Sequence, residues 1–274
     1  MDLDLLRAHA SLLRRLHDRK KVLLLPNVWD VASARVVEEA GFPALATSSA
    51  GIAAVLGYAD GERIGRDEML EMVARITRAV RVPVTADLEA GYGDAGETVT
   101  AALGAGAVGM NLEDGTSGGG LAPLQTQVAR VRAARAAAER AGVPFVINAR
   151  VDTFFAPADD EPSRFADTIA RARAYLEAGA DCIFVPGVRD AETIGRLVKQ
   201  IPGPLNVLAG PGTPPVAALA ALGVARVSAG SGTMRAALTA GRRAAEEMRD
   251  RGTFGFTEGI LTHAEINGLL SRPS

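Results

Sequence analysis

The stretch VPVTADLEAGYG (82–93) joins an apolar run to two acidic residues and a glycine-rich turn. Residues i and i+2 of a strand point to the same face, so Asp87 and Glu89 are expected to share one face where the strand ends. The run does not alternate with polar residues, which is typical of a parallel strand covered on both sides. The stretch therefore predicts a buried parallel strand that delivers two carboxylates at its carboxyl end.

Similar β-rich runs recur along the chain, and most of them are continuously apolar. Together they predict eight strands, over 21–28, 43–49, 82–89, 107–114, 143–152, 181–187, 204–210 and 225–230. The segments between them have helical spacing of apolar residues, and several end in glycine, as helices commonly do. Eight strands that alternate with helices predict a (β/α)8 TIM-type barrel. A doubly wound open sheet is the competing fold, but no GxGxxG motif follows the first strand.

The barrel is expected to occupy residues 1–250, and a C-terminal helical extension residues 251–274. Within the extension, Thr262 and Glu265 have the spacing of a capping box, which predicts a short helix. That helix would need a partner surface, either on this barrel or on a neighbouring subunit. Its apolar residues are Ile266, Leu269 and Leu270.

Composition excludes several classes of protein. The net charge of −2 and the aromatic content of 4% give no sign of a nucleic-acid partner. The single cysteine, Cys182, fits a reducing compartment. The N-terminal residues do not read as a secretory signal, and no run approaches the ~18 apolar residues of a membrane span. We expect a soluble cytoplasmic protein with no membrane partner, with His9 and His17 at the surface of the first helix.

Polar side chains gather at the predicted carboxyl ends of the first five strands, where barrel enzymes carry their catalytic groups. The residues concerned are Asn27, Trp29, Asp30, Thr47, Ser48, Ser49, Asp87, Glu89, Asn111, Glu113, Asp114, Asn148, Arg150 and Asp152. Trp29 is expected either to line the pocket or to fill the core. Arg150 could bind a carboxylate or phosphoryl group, or it could orient Asp152 or another acid through an ion pair.

Asp87, Glu89 and Glu113 come from adjacent strands, so their carboxylates would repel one another. A divalent cation would remove the conflict, and oxygen-only ligands suit Mg²⁺ or Mn²⁺ better than zinc. The alternative is that these acids pair with arginines or lie in solvent. The glycine-rich turns 209–215 and 228–233 lie where barrels often bind phosphate, although such turns also occur without ligands.

The chain resembles the isocitrate lyase/phosphoenolpyruvate mutase superfamily in several motifs along its length. The motifs that carry the resemblance are PNVWDVASARVVEEAGFPALATSSAGIAAVLGYADGE (26–62), ADLEAGYG (86–93), NLED (111–114), NARVD (148–152) and NVLAGPGTPPVAALAALGVARVSAG (206–230). The resemblance implies a barrel enzyme that binds Mg²⁺ and a small α-keto or α-hydroxy acid. It also implies a homotetramer, a dimer of dimers, in which the last helix is swapped between subunits.

The resemblance assigns roles to individual residues. Asp87 matches a direct metal ligand, while Glu89, Glu113 and Asp60 match acids of the same metal shell. Arg150 matches the arginine that holds the substrate's anionic group, and the expected catalytic residues are Arg150, Asp60 and Glu113. The expected substrate-binding residues are Ser48, Ser49, Ala50, Gly51, Trp29, Asn111 and Arg150.

The chain departs from the family pattern in one loop. Lyases of this superfamily carry a Cys-containing signature after the fourth strand, whereas loop 115–127 here reads GTSGGGLAPLQTQ, without Cys, Lys or His. We therefore expect Mg²⁺-dependent cleavage of a C–C bond through a metal-stabilised enolate, decarboxylase-like or by a lyase lacking the usual acid. The alternatives are a P–C mutase or hydrolase acting on phosphonopyruvate or phosphoenolpyruvate, and a barrel that binds metal and oxyacid without catalysis.

Overall fold

The computed structural model describes residues 2–17, 21–116, 118–157 and 160–271. The strands are β1 (Leu23–Leu25), β2 (Asn27–Val28), β3 (Leu45–Thr47), β4 (Val84–Asp87), β5 (Gly109–Glu113), β6 (Val146–Arg150), β7 (Cys182–Val185), β8 (Leu205–Leu208) and β9 (Arg226–Ser228). The helices are α1 (Leu3–Leu16), α2 (Val31–Glu39), α3 (Ser49–Val55), α4 (Arg66–Ala79), α5 (Ala95–Gly104), α6 (Leu124–Arg140), α7 (Glu161–Glu177), α8 (Ala191–Gln200), α9 (Val216–Leu222), α10 (Gly232–Arg251) and α11 (His263–Ser271).

The sheet closes into a barrel through its first strand, which is split in two. Strands β1 and β2 lie on either side of Pro26, which has no N–H to donate to a neighbouring strand. Strand β1 pairs in parallel with β9, and β2 pairs in parallel with β3. The two ends of the strand order are therefore halves of one strand. The predicted (β/α)8 barrel is confirmed, and the doubly wound sheet is excluded.

Small residues set the distance between the outer helices. A Cβ at Gly96 in α5 would lie 3.2 Å from the carbonyl oxygen of Ala133 in α6. The inward face of α6 is largely alanine, with Ala134 and Ala138 fully buried. Large side chains at these positions would push the helix ring away from the sheet. The alanine-rich composition therefore permits close packing around the barrel.

Helix α1 covers the amino-terminal end of the barrel, and His17 ends this helix. The expectation that His17 lies at the surface is wrong, because the residue is only 6% exposed. Its Nδ1 is 2.8 Å from the carbonyl oxygen of Leu13, and its Nε2 is 3.5 Å from Nη1 of Arg226. Burial, together with the nearby charge of Arg226, lowers the pKa of His17 to about 4. His17 is thus held neutral against a buried cation.

The short helix predicted near the C-terminus is present as α11, which packs on this chain's own barrel. Thr262 and Glu265 form the capping box, with N–H donors 2.7 and 3.2 Å from the reciprocal side-chain oxygens. Helix α11 lies against α2 and buries Leu269, while Ile266 and Leu270 remain exposed. Packing on a neighbouring subunit stays a prediction, and residues 272–274 of the predicted extension lie outside the described residues. Within the described ranges, no helix has the length and apolar character that a membrane crossing requires.

Candidate active site

The carboxyl ends of β4, β5 and β6 bring the predicted polar residues to one side of the barrel mouth. In the strand register, Asp87 lies beside Asn111, and Glu113 lies beside Arg150. Each side chain is positioned by the last residues of a buried parallel strand. The sequence prediction that these strands deliver neighbouring polar groups is therefore met by the backbone.

Asp87 is held from two sides. Its Oδ2 accepts hydrogen bonds from the N–H of Ser49 at 3.0 Å and from the Ser49 hydroxyl at 2.7 Å. Its Oδ1 accepts a hydrogen bond from Nδ2 of Asn111 at 3.1 Å. A carboxylate offers about four lone-pair positions, so acceptor capacity remains on this group. Asp87 is thus oriented without being saturated.

Glu89 is nearly buried, at 3% exposure, and adopts a left-handed backbone with φ of 50°. Its Oε1 accepts a hydrogen bond from the Tyr92 hydroxyl at 3.1 Å, and its Oε2 accepts one from the N–H of Glu62. Burial raises the pKa of Glu89 to about 7, and the charges of Asp60 and Asp87 contribute to the rise. Glu89 therefore lies in a region of excess negative charge.

Asp60 reaches the same region from the loop between α3 and α4. It stands at the exposed rim, and its pKa is raised by partial desolvation and by the nearby charge of Asp87. Burial also raises the pKa of Glu113, as do Asp87 and Glu89, while Arg150 acts in the opposite direction. Glu89 and Glu113 therefore each feel the charge of Asp87, and Asp60 adds to this effect at Glu89. The expectation that Asp87 and Glu89 share one strand face is wrong, because β4 ends at Asp87 and Glu89 lies in the left-handed turn that follows.

Arg150 lies between two acids. Its guanidinium forms an ion pair with Glu113, and its Nε is 2.6 Å from Oδ1 of Asp152. Burial by itself would lower the pKa of Arg150, but Glu113 and Asp152 raise it above its ordinary value. The rings of Phe155 and Phe184 lie 5.9 and 6.0 Å from the guanidinium carbon. Arg150 is thus held as an internal counterion to Glu113.

Among the described residues, no three His, Cys, Asp or Glu side chains stand together with the spacing of metal ligands. The hydrogen bonds explain this arrangement. Glu113 turns towards Arg150, and Glu89 turns towards Tyr92 and the backbone of Glu62. The acids share one region, but the oxygens of Glu89 and Glu113 point to protein partners.

The residues predicted to bind a substrate carboxylate lie at the start of α3. Ser48 precedes this helix, and its hydroxyl accepts a hydrogen bond from the Gly51 N–H at 3.2 Å. A Cβ at Gly51 would lie 2.7 Å from Cβ of Trp29, so only glycine allows half-buried Trp29 to pack there. Ala50 lies between Ser49 and Gly51 in the chain, and the Ser49 hydroxyl donates a hydrogen bond to Asp87. A role for these residues and Trp29 in substrate binding stays a prediction.

A polar layer inside the barrel, below Asp87, was not foreseen. The Oδ1 atom of Asn111 accepts hydrogen bonds from Nδ2 of Asn148 at 2.8 Å and from Nη2 of Arg226 at 3.3 Å. These two donors fix the amide of Asn111 so that its own NH₂ group faces Asp87. Arg226 is fully buried, and burial lowers its pKa to about 10. A charged residue within the apolar run 225–230 is the sequence signal that could have revealed it.

Asp114 has a structural role. It is fully buried and accepts hydrogen bonds from the Tyr175 hydroxyl at 2.7 Å and from the Asp152 N–H at 2.8 Å. It also pairs with Arg171 at 3.1 Å. This network fixes the point where loop 115–127 leaves β5.

Residues 124–127 of the predicted loop belong to α6, and an antiparallel bridge joins residues on the two sides of the part before them. Gly115 and Leu121 form an antiparallel bridge, and the N–H of Thr116 donates to the carbonyl of Gly120 at 2.9 Å. Ser117 of the loop lies outside the described residues. The sequence of residues 115–127 contains no titratable side chain.

One of the two glycine-rich turns is already occupied by a side chain. The Oδ1 atom of Asn27 accepts hydrogen bonds from the N–H groups of Ala229 and Gly230 at 2.9 and 2.8 Å. These are donors that a phosphate would need. The turn 228–233 is therefore built around Asn27, which weakens the case for a phosphate site there.

The acids and the arginine lie at the ends of adjacent strands in a closed parallel barrel. TIM-barrel enzymes carry their active sites at this end of the barrel. Residues 13–249 match the family model for phosphoenolpyruvate phosphomutase. The chain belongs to this family, within the isocitrate lyase/phosphoenolpyruvate mutase superfamily, and the resemblance drawn from the motifs is confirmed.

Three similar proteins illustrate the range of the superfamily. A structure from Burkholderia cenocepacia J2315, described provisionally as a lyase/mutase, superposes with a TM-score of 0.92 at 42% identity, covering 99% of this chain and 98% of its own. Oxaloacetate decarboxylase of Chromohalobacter salexigens is 34% identical over 238 residues, covering 82% of this chain and 79% of its own. A structure of 2,3-dimethylmalate lyase gives a TM-score of 0.84 at 28% identity, covering 96% and 94%.

Proposed function

We propose that this protein is a divalent-cation-dependent enzyme that cleaves a C–C bond in a small α-keto or α-hydroxy acid, diacids in particular. The observation that carries the proposal is the group of four acids at the barrel mouth. Arg150 pairs with Glu113, whereas Asp60, Asp87 and Glu89 have no ion pair among the described residues. Relatives named for oxaloacetate decarboxylation and dimethylmalate cleavage support the choice of bond.

The donor set fits a hard cation. All four acids offer oxygen, and Asp87 keeps free acceptor capacity on its Oδ1, which accepts one hydrogen bond. Carboxylate oxygen is the ligand that Mg²⁺ and Mn²⁺ prefer. We assign Asp87 as the direct ligand, with Asp60, Glu89 and Glu113 acting through bound water. Glu113 would then exchange its ion pair with Arg150 for this role.

Arg150 is the group that the exchange would release. Its guanidinium stands between two strand ends and can form two parallel hydrogen bonds to a planar anion. Arg150 would then hold the substrate's second anionic group, while Ser48, Ser49, Ala50 and Gly51 face its first carboxylate. Asn111 and Trp29 complete the proposed pocket. When bound, a divalent cation would chelate the substrate's keto and carboxylate oxygens and draw electron density from the breaking bond.

Loop 115–127 narrows the choice among C–C cleavages. Retro-aldol cleavage needs a base for the hydroxyl and an acid for the departing carbon, and such help is worth roughly 10²–10⁴ in rate. The loop offers neither, because it has no titratable side chain. Release of CO₂ needs no base at the departing group. We therefore place decarboxylation of a β-keto acid first among the reactions.

P–C bond chemistry is the second candidate, supported by the match to the phosphomutase family model. A transferring phosphoryl group needs cationic stabilisation. Arg150 can supply one cation, but loop 115–127 contains no lysine to supply another. This second reading is therefore placed below decarboxylation.

The experiment is a Mg²⁺-dependent turnover assay on a panel of acids, combined with Mn²⁺ and oxalate binding by calorimetry. Conversion of oxaloacetate or its analogues supports the first reading, and conversion of phosphonopyruvate, followed by ³¹P NMR, supports the second. Tight oxalate binding without any turnover would instead indicate a binding protein. Asp87→Ala should abolish cation-dependent oxalate binding, and Asp67→Ala, an exposed acid on α4, is the control. Equal affinity in wild type and Asp87→Ala contradicts the metal assignment.

A further inference from the structure

Three residues near the mouth form a closed set of hydrogen bonds, which we call the clasp: Glu62, Glu89 and Tyr92. The N–H of Tyr92 donates to Oε1 of Glu62 at 3.0 Å. The hydroxyl of Tyr92 donates to Oε1 of Glu89 at 3.1 Å, and the N–H of Glu62 donates to Oε2 of Glu89. The clasp thus joins loop 56–65, which carries Asp60, to the turn that follows β4.

The same three residues are backbone outliers. Their φ values are 54° for Glu62, 50° for Glu89 and 51° for Tyr92. In the ranges that the structure describes, these are the non-glycine residues with positive φ. Left-handed backbone is unfavourable for residues with ordinary side chains, and such strain persists only where surrounding contacts impose it.

The turns themselves do not explain the strain. Gly61, Gly91 and Gly93 adopt positive φ beside the outliers, which shows that glycine serves wherever only the turn matters. At the three clasp positions the side chain is kept, and each of these side chains makes a clasp bond. Each of these side chains thus makes a hydrogen bond that glycine could not make in the same turn.

We infer that Glu62 and Tyr92 are positioning residues for the proposed cation site. This inference rests on the proposed function. Tyr92 orients one oxygen of Glu89, and the backbone of Glu62 orients the other. The bond from Tyr92 N–H to the Glu62 carboxylate closes the set and holds loop 56–65, with Asp60, against the end of β4. Glu62 is exposed, so its contact can break without unfolding the barrel.

The test compares four variants by Mn²⁺ affinity, the Mn²⁺ electron paramagnetic resonance spectrum, and hydrogen exchange of loop 56–65. Glu62→Ala removes the acceptor for Tyr92 N–H, and Tyr92→Phe removes the hydroxyl bond to Glu89 with little change of shape. Glu62→Gln keeps an oxygen acceptor, and Arg63→Ala changes an exposed neighbour on the same loop. Outer groups that orient metal ligands typically change affinity by about 10–100-fold.

We expect at least a tenfold loss of Mn²⁺ affinity in Glu62→Ala and in Tyr92→Phe, with an altered Mn²⁺ spectrum. Exchange in loop 56–65 should accelerate in Glu62→Ala. Glu62→Gln should restore wild-type affinity, and Arg63→Ala should leave it unchanged. If Asp87→Ala loses Mn²⁺ but both Glu62→Ala and Tyr92→Phe bind it with wild-type affinity, the inference about the clasp is wrong. The proposed cation site would still stand in that case.

Failure of the proposed function would look different. If Asp87→Ala binds Mn²⁺ as wild type does, the cation site itself is wrong, whatever the clasp variants show. Unchanged exchange of loop 56–65 in Glu62→Ala would overturn the tethering role independently of any metal.

Discussion

The buried histidine at the barrel floor predicts a specific loss of stability in acid. The pKa of His17 is about 4 in the folded protein and ~6.5 in an unfolded chain. As the pH falls below 6.5, His17 becomes protonated in the unfolded chain but stays neutral in the folded barrel. The free energy of unfolding therefore decreases. The decrease ends below pH 4, where both states are protonated. A difference of about 2.5 pKa units corresponds to a loss of about 3 kcal/mol.

The assay is urea unfolding of wild type and His17→Asn at several pH values between 7.5 and 4. The asparagine amide can replace Nδ1 as the donor to Leu13, so the variant keeps that bond and loses the titration. The cavity left by the smaller asparagine lowers the free energy of unfolding at every pH. Because wild type alone loses about 3 kcal/mol as the pH falls, the difference in unfolding free energy between the two proteins should shrink or reverse by that amount at low pH. His263→Asn on α11 is the control, since that histidine lies on an exposed face. Parallel pH profiles for wild type and His17→Asn would refute the reasoning.

Three further outcomes follow from the geometry of the mouth. Gly51→Ala should cost about 1–3 kcal/mol in urea unfolding, because its Cβ would meet Trp29 at 2.7 Å; unchanged stability would show that α3 shifts freely. Arg171→Leu should cost about 3–5 kcal/mol by the same measurement, because it leaves Asp114 buried without its ion pair; exposed Arg173→Leu is the control, and equal stability of the two variants would contradict this role of Asp114. Arg150→Lys should weaken calorimetric oxalate binding by about tenfold or more, because lysine cannot form paired planar hydrogen bonds; wild-type affinity would remove Arg150 from the pocket.

The fold was predictable from the sequence because parallel strands buried on both faces leave long apolar runs with clear ends. The helix boundaries agree to within a few residues where a glycine or a capping side chain marks them, as at Thr262. The split of the first strand was missed, since Pro26 inside an apolar run does not by itself show that the two halves pair on opposite sides. His17 was misplaced because its burial comes from the barrel floor, which no local pattern encodes.

The residues of the candidate site were predictable as a neighbourhood but not as a set of contacts. Adjacent strand ends place Asp87, Glu113 and Arg150 together whatever the side chains then do. Which partner each oxygen selects depends on chain-distant groups such as Glu62 and Arg226, and no local sequence pattern encodes these long-range contacts. The ion pair between Arg150 and Glu113 had been one of two open possibilities, and only coordinates could choose between them.

The split at Pro26 has a consequence for biosynthesis. Among the described residues, strand β1 pairs laterally with β9, roughly two hundred residues later, so a nascent chain leaving the ribosome carries β1 with an open edge until β9 has been made. Open edges invite pairing with other chains. Because β1 has three residues, it offers few backbone hydrogen bonds to a strand of another chain during that interval.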